Sequence, residues 1–143
     1  MPEAVKTPKL FWIIAILSLL WNLVGAFDYT MTQTRNQAYL DNFSQEQLDY
    51  YLGFPTWVIF FWALAIWSSV AGSILLLLRK AWAVPVFLVS LVSMVINAIY
   101  NYGLSDGMAV AGTGGFIFTL VIFVIALGLW LYARAMRKRG ILT

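Results

Sequence analysis

The 143-residue chain has no histidine and no cysteine, and only 10% of its residues are charged. The first two absences remove imidazole proton transfer, thiol exchange, haem ligation, iron–sulfur clusters and zinc sites of the Cys/His type. They also exclude disulfides, so cysteine usage reports nothing about the redox compartment. The shortage of charge excludes another class. Soluble domains carry roughly 25% charged residues, whereas this chain is 62% hydrophobic with a mean hydropathy of +0.84. What the chain does have is long apolar runs, which make it an integral membrane protein built as a single domain over residues 1–143.

Four runs are long enough to cross a bilayer as helices: Leu10 to Phe27, Thr56 to Leu78, Ala81 to Tyr100, and Met108 to Ala133. No strand-like alternation supports a barrel, so the expected fold is an all-α bundle of four transmembrane helices. Lys6 and Lys9 precede the first span, Arg79 and Lys80 link the second to the third, and Arg134, Arg137, Lys138 and Arg139 follow the fourth. With Glu3, this side totals +7; Asp28, Asp41, Glu46, Asp49 and Asp106 against Arg35 total −4 on the other, matching the overall +3. The positive-inside rule then places both termini in the cytoplasm. The basic tail reads as a stop-transfer anchor facing an anionic leaflet, and nucleic acid is not an expected partner. A cleavable signal ending near Val24-Gly25-Ala26 is the alternative for the first span, opposed by Trp21 and by the length of the run.

The outer loop, residues 28–55, should contain a short amphipathic helix lying on the interface in its second half. Its first half, Thr30 to Leu40, lacks Gly and Pro and could continue the first span as a helix outside the membrane. Ser44 and Gln47 form a capping box, Leu48, Tyr51 and Leu52 make an apolar face, and Gly53 with Pro55 ends the helix. Asn42-Phe43-Ser44 matches a glycosylation sequon too short to carry weight alone. The second outer connection, Asn101 to Gly115, holds five of the ten glycines and reads as a flexible loop leading into a close-packed helix start, without the Lys-Ser/Thr of a phosphate loop. Trp12, Trp82, Trp57 and Trp130 fit interfacial belts, and Trp62 and Trp67 are expected to face lipid.

At about 100° per residue, each span carries one narrow small or polar face. Ser18, Asn22, Gly25 and Tyr29 align in the first; Ala65, Ser69 and Gly72, flanked by Ser68 and Ser73, in the second. Ser90, Ser93, Asn97 and Asn101 align in the third, and Gly112, Gly115, Thr119 and Ala126 in the fourth. Ser69, Gly72 and Ser73 are the expected helix-packing residues, because small side chains let helices approach closely in lipid. Asn22, Asp28, Asn97, Asn101 and Asp106 fall toward the outer side and form a candidate polar vestibule. Packing alone is the competing explanation, since polar residues in spans hydrogen-bond neighbouring helices at about 0.6 kcal/mol each. The sequence nominates no catalytic residue, cofactor or metal.

Trp21-Asn22-Leu23-Val24-Gly25, the run Leu75 to Pro85 and Phe87-Leu88-Val89-Ser90-Leu91 resemble small four-span bacterial inner-membrane proteins. Members of that group often carry a sugar-transporter-like label without a characterised activity. The resemblance covers most of the chain, but its motifs concern packing and topology. It implies an inner-membrane location and a role in transport. Three functions stay open: a non-enzymatic protein binding or transporting a small polar, sugar-like solute as a homo-oligomer; an accessory subunit packed against a larger membrane-protein partner; and, ranked last, an enzyme whose acid–base chemistry would rest on exposed Asp, Glu and Tyr alone. Multidrug exporters of the small four-span kind fit less well, because the first span carries no acid before Asp28.

Overall fold

In a computed structural model of the protein, residues 6–143 are described; Glu3, which enters the charge balance, lies outside them. The described residues form helices α1 (Lys9–Gln33), α2 (Gln37–Leu40), α3 (Gln45–Leu52), α4 (Thr56–Leu77), α5 (Ala83–Ile99) and α6 (Gly107–Lys138). A π-helical turn, Tyr100–Leu104, continues α5. Helices α1, α4, α5 with its π turn, and α6 are long and apolar enough to span a membrane. The protein is therefore an all-α, multi-pass membrane bundle, and α3 is the short amphipathic helix of the first connection.

The long helices pack in the order α1–α4–α5–α6. The α4–α5 hairpin is the most extensive pairing, followed by α1–α4 and α5–α6. Close backbone approach is sparse between α1 and α6, which become the two edges of the bundle. One end carries the two termini and the short α4–α5 link; the other carries α2, α3 and the π turn. These are called the termini end and the loop end below.

Three helices stop by the same device. Asn36 N–H donates to Met31 O and Arg35 N–H to Thr32 O, the Schellman pattern that satisfies the last carbonyls of α1. Lys80 and Arg79 repeat it on Leu75 and Leu76 of α4, as do Ile141 and Gly140 on Met136 and Arg137 of α6. The left-handed residue is glycine only in the last: Gly140 has φ 78°, Arg35 54° and Arg79 56°. Gly140 turns the chain back under the bundle, burying Ile141 and Leu142 with Phe11, Leu76, Ala83 and Met136. Thr143 N–H and Arg79 Nε then bond across the end, to Arg79 O at 3.0 Å and Ile141 O at 3.1 Å. The basic tail thus ends in an apolar plug.

Several expected boundaries move. Helix α1 continues past Phe27, as the stretch without Gly or Pro allows, but stops at Gln33 rather than running to Leu40, so Asp28 is a helical residue. The glycine-rich stretch 101–115 is mostly helical rather than a flexible loop. Only Ser105 and Asp106 separate the π turn from α6, which is interrupted at Gly112 (φ 72°, ψ −177°). In hydrocarbon the backbone must satisfy its own hydrogen bonds, and that requirement overrides the low helix propensity of glycine. Gly107 fits because it has no Cβ, which would overlap the Asn101 carbonyl and the Tyr50 hydroxyl. Pro85 sits in the first turn of α5, where an N–H has no helical partner to lose.

Candidate functional site

The small faces of α1 and α4 meet in a polar seam. Asn22 Nδ2 donates to Ser73 Oγ at 2.7 Å and to Ser69 O at 3.1 Å. Ser73 Oγ passes its own proton to Ser69 O at 3.0 Å, while Ser18 Oγ donates to Ala15 O at 2.8 Å and stands 3.3 Å from Ser73. On the other side of α4, Ser90 Oγ of α5 donates to Ala65 O at 2.7 Å. A Cβ on Gly72 would stand 2.7 Å from the Phe87 ring, so glycine sets the separation of α4 and α5. The residues read as packing residues therefore lie at contacts inside the bundle. Ser69, Gly72 and Ser73 are engaged within the bundle, whereas Ala71 of the same helix is exposed.

Above the seam, toward the loop end, the helices enclose a cavity of about 580 Å³. That volume is within the usual range of small-molecule sites, roughly 300–1,000 Å³. Asn22 and Asp28 of α1, about 9 Å apart along the helix axis, line it with Ser69 of α4, Asn97 of α5 and Asn101 of the π turn, a polar strip shared by three helices. The rest of the wall is largely apolar or aromatic, with Met94, Ala98, Phe118, Ile122 and Ala126 from α5 and α6.

The asparagines are not equally occupied. Asn101 Nδ2 donates to Asn97 O at 2.8 Å, and its Oδ1 accepts from the Tyr50 hydroxyl at 2.8 Å. Asn22 spends its amide hydrogens on α4, and Asn97 reaches Ser93 O only at 3.4 Å. Among the described residues no donor reaches the Oδ1 of Asn22 or of Asn97. Two carbonyl acceptors of the strip are thus free to accept from a ligand. A half-buried carbonyl without a partner costs energy that a ligand hydroxyl can recover.

Asp106 is not part of this site. It is exposed at the start of α6, its side chain makes no capping bond, and it does not line the cavity. The π turn and extended Ser105 (φ −146°, ψ −175°) carry it beyond the rim. In its place the turn brings in Tyr102, whose hydroxyl lies 2.8 Å from Thr119 Oγ1 on α6. Insertions of this kind often re-aim side chains toward a site.

The sequence reading also missed the cover. Helix α3, expected flat on the interface, turns Leu48, Tyr51 and Leu52 over the cavity, joined by Tyr39, Phe43 and Phe54. Edge-to-face contacts hold the cover together, from Tyr39 through Phe43 and Tyr51 to Phe54, and on to Tyr100 and Trp62. Trp62 consequently faces the cavity rather than lipid, while Trp67 is exposed. Two polar latches fasten the cover: Tyr39 donates to Asp28, and Tyr50 bonds Asn101 and stands 2.7 Å from Ser105 Oγ. Burial, reinforced by the bond to and the charge of Asp28, pushes the Tyr39 hydroxyl well above its usual range. Burial likewise raises Tyr50 and Tyr51. All three stay protonated at neutral pH. The clue in the sequence was the aromatic density of residues 39–54, with five aromatic side chains in sixteen residues.

The arrangement can bind but has no reactive group beyond carboxylate, phenol and alcohol. No family model, curated protein or solved structure matches the chain.

Proposed function

We propose that this chain is a non-enzymatic membrane protein that binds a small amphipathic molecule in its central cavity. The observation that carries the reading is a contrast within the lining. A cavity of about 580 Å³ is mostly apolar, yet it presents the Asn22 carbonyl from α1 and the Asn97 carbonyl from α5 without protein donors. Hydroxyl groups suit those acceptors, which agrees with the sugar-like solute suggested by the resemblance. The apolar remainder narrows the solute to one with a substantial hydrocarbon part, because a fully polar sugar would lose water against those walls without replacing its hydrogen bonds. Binding of this kind fits a role in transport. We place the protein in a bacterial inner membrane with both termini cytoplasmic, because eight of its nine basic residues lie on the termini side.

The test uses the full chain in nanodiscs and glycerol monobutyrate, a short-chain soluble molecule with two free hydroxyls. It should raise the unfolding temperature in a saturable way, glucose should not, and Asn97→Leu should abolish the shift while leaving helix content and monodispersity unchanged. A shift of equal size in Asn97→Leu, or no shift with wild type, overturns the reading.

A further inference from the structure

A second concavity, of about 540 Å³, lies outside the first between α1 and α6. Ile14, Leu17, Leu20, Trp21 and Val24 line one side, and Ile125 and Leu129 the other. Its one polar side chain, Ser18, already bonds within α1. Trp21, Val24, Ile125 and Leu129 line the central cavity as well, so the groove and the cavity share a wall. The groove runs along the edge where α1 and α6 backbones do not close together. Aromatic contacts frame it at both ends, Trp21–Phe118 toward the loops and Phe11–Tyr132 toward the termini, each with ring centroids 6.3 Å apart.

We infer that the ligand reaches the cavity sideways from the bilayer, with its hydrocarbon chain lying in the α1–α6 groove. The ligand class is then a single-chain lipid with a hydroxyl-bearing head. This rests on the proposed binding function and specifies its substrate class. Two observations select this occupant. First, the relative depths match a lipid: the polar strip rises from Asn22 toward the loop end, whereas the groove runs from Val24 back to Ile14, about 15 Å toward the termini. A molecule with its head on Asn22 and Asn97 therefore directs its chain toward the bilayer interior. Second, the approach from water is covered by α2 and α3, latched to Asp28 and Asn101, while the side facing hydrocarbon has no such cover. Leu17 and Leu20 in the groove are 58% and 55% exposed, open to an acyl chain.

The experiment uses the full chain in phosphatidylcholine nanodiscs with a monoacylglycerol carrying a mid-chain diazirine. After irradiation, mass spectrometry should locate adducts on residues 17–24 and 125–129, saturable and competed by unlabelled monoacylglycerol. Leu20→Trp fills the mouth of the groove without touching the cavity lining, and should reduce that labelling at least about tenfold while glycerol monobutyrate still stabilises the protein. Asn97→Leu should reduce it similarly by removing the head contact. Uniform, unsaturable adducts on all lipid-facing surfaces would mean annular lipid only and overturn the inference. Saturable adducts on α3 instead would mean access from water, overturning the route while leaving the cavity function standing. Loss of both labelling and monobutyrate stabilisation in the wild type overturns both.

Discussion

At the termini end, Phe11, Leu76, Ala83, Ala133 and Ile141 have no exposed surface and form a continuous apolar core. At the loop end the same four helices surround a void of about 580 Å³, bridged by asparagines, tyrosines and a two-helix cover. The termini end uses regular helix, small residues and an apolar plug. The loop end uses a π turn, a glycine break at Gly112 and hydrogen-bonded latches. In a bilayer this contrast has a physical meaning. Lipid is as apolar as leucine, so helix association rests on close packing and hydrogen bonds rather than on escape from water. Close packing at one end can hold the bundle together while the other end stays incompletely filled and available to a ligand.

The largest expected effect tests that division directly. Leu76→Ala, at the fully buried end, should cost about 3 kcal/mol, the lower part of the range for leucine truncation, since the water-transfer contribution is small in lipid. Ile122→Ala merely enlarges a cavity that already exists, and should cost less than about 1 kcal/mol. Reversible unfolding in mixed micelles measures both. Equal losses would show that the loop end is as tightly packed as the termini end.

Gly72 marks where the dense part begins, and its replacement ranks next. Gly72→Leu should destabilise by about 2 kcal/mol through overpacking, because the Phe87 ring stands 2.7 Å from where the new Cβ would lie. Combining Gly72→Ala with Phe87→Leu should recover most of the loss of Gly72→Ala alone, since the offending contact belongs to that pair. A Gly72→Leu protein of unchanged stability would show that α4 and α5 can part freely.

Much of this arrangement was legible in the sequence, for reasons that separate along the same line. Span number follows from hydropathy, and the α1 and α4 faces from a 3.6-residue period, so Ser18, Asn22, Ser69 and Ser73 meet; the expected face of α6 breaks at Gly112, where an added Cβ would meet no neighbour. The capping box of Ser44 and Gln47 is formed as its local spacing requires. What escaped was set by tertiary context. The fold-back that lets Tyr39 donate to Asp28 joins residues eleven apart across a helix break and has no local signal. The helical state of Gly107 depends on its fit against Asn101 and Tyr50, and the exclusion of Asp106 on one extra residue in the π turn. The C-terminal plug was hidden because Gly140-Ile141-Leu142 follows four basic residues that dominate any local reading.

The latch of the loop end gives the third prediction. Tyr39→Phe removes the hydrogen bond to Asp28 and should loosen the cover by about 1 kcal/mol, seen as faster amide exchange across α2 and α3. Burial of the Tyr39 hydroxyl, reinforced by this bond, also sets a pH dependence. Folded Tyr39 holds its proton above the usual tyrosine value of 10.0, so at high pH the open state binds fewer protons than the closed one. Closure is at full strength below pH 10 and weakens as pH rises past it. Wild type should therefore open in alkali, with the change reduced in Tyr39→Phe and the remainder coming from Tyr50 and Tyr51, whose hydroxyls burial also raises. An equally steep alkaline opening in the variant would assign the effect to another group.

The smallest expected effect compares the two ends through one residue type. Arg35 and Arg79 both occupy the left-handed position of a Schellman motif, where glycine carries no Cβ penalty. Arg35 is exposed, and among the described residues its side chain forms no hydrogen bond or ion pair, so Arg35→Gly should relieve strain and stabilise by about 0.5 kcal/mol after the added freedom of the unfolded chain is subtracted. Arg79→Gly relieves the same strain but deletes the Nε bond to Ile141 O, which holds the plug against the termini end. Its gain should be cancelled or reversed, and the amides of Ile141 and Leu142 should exchange faster. If both substitutions stabilised equally, the plug would not depend on Arg79, and the apolar contacts of Ile141 and Leu142 would hold it unaided.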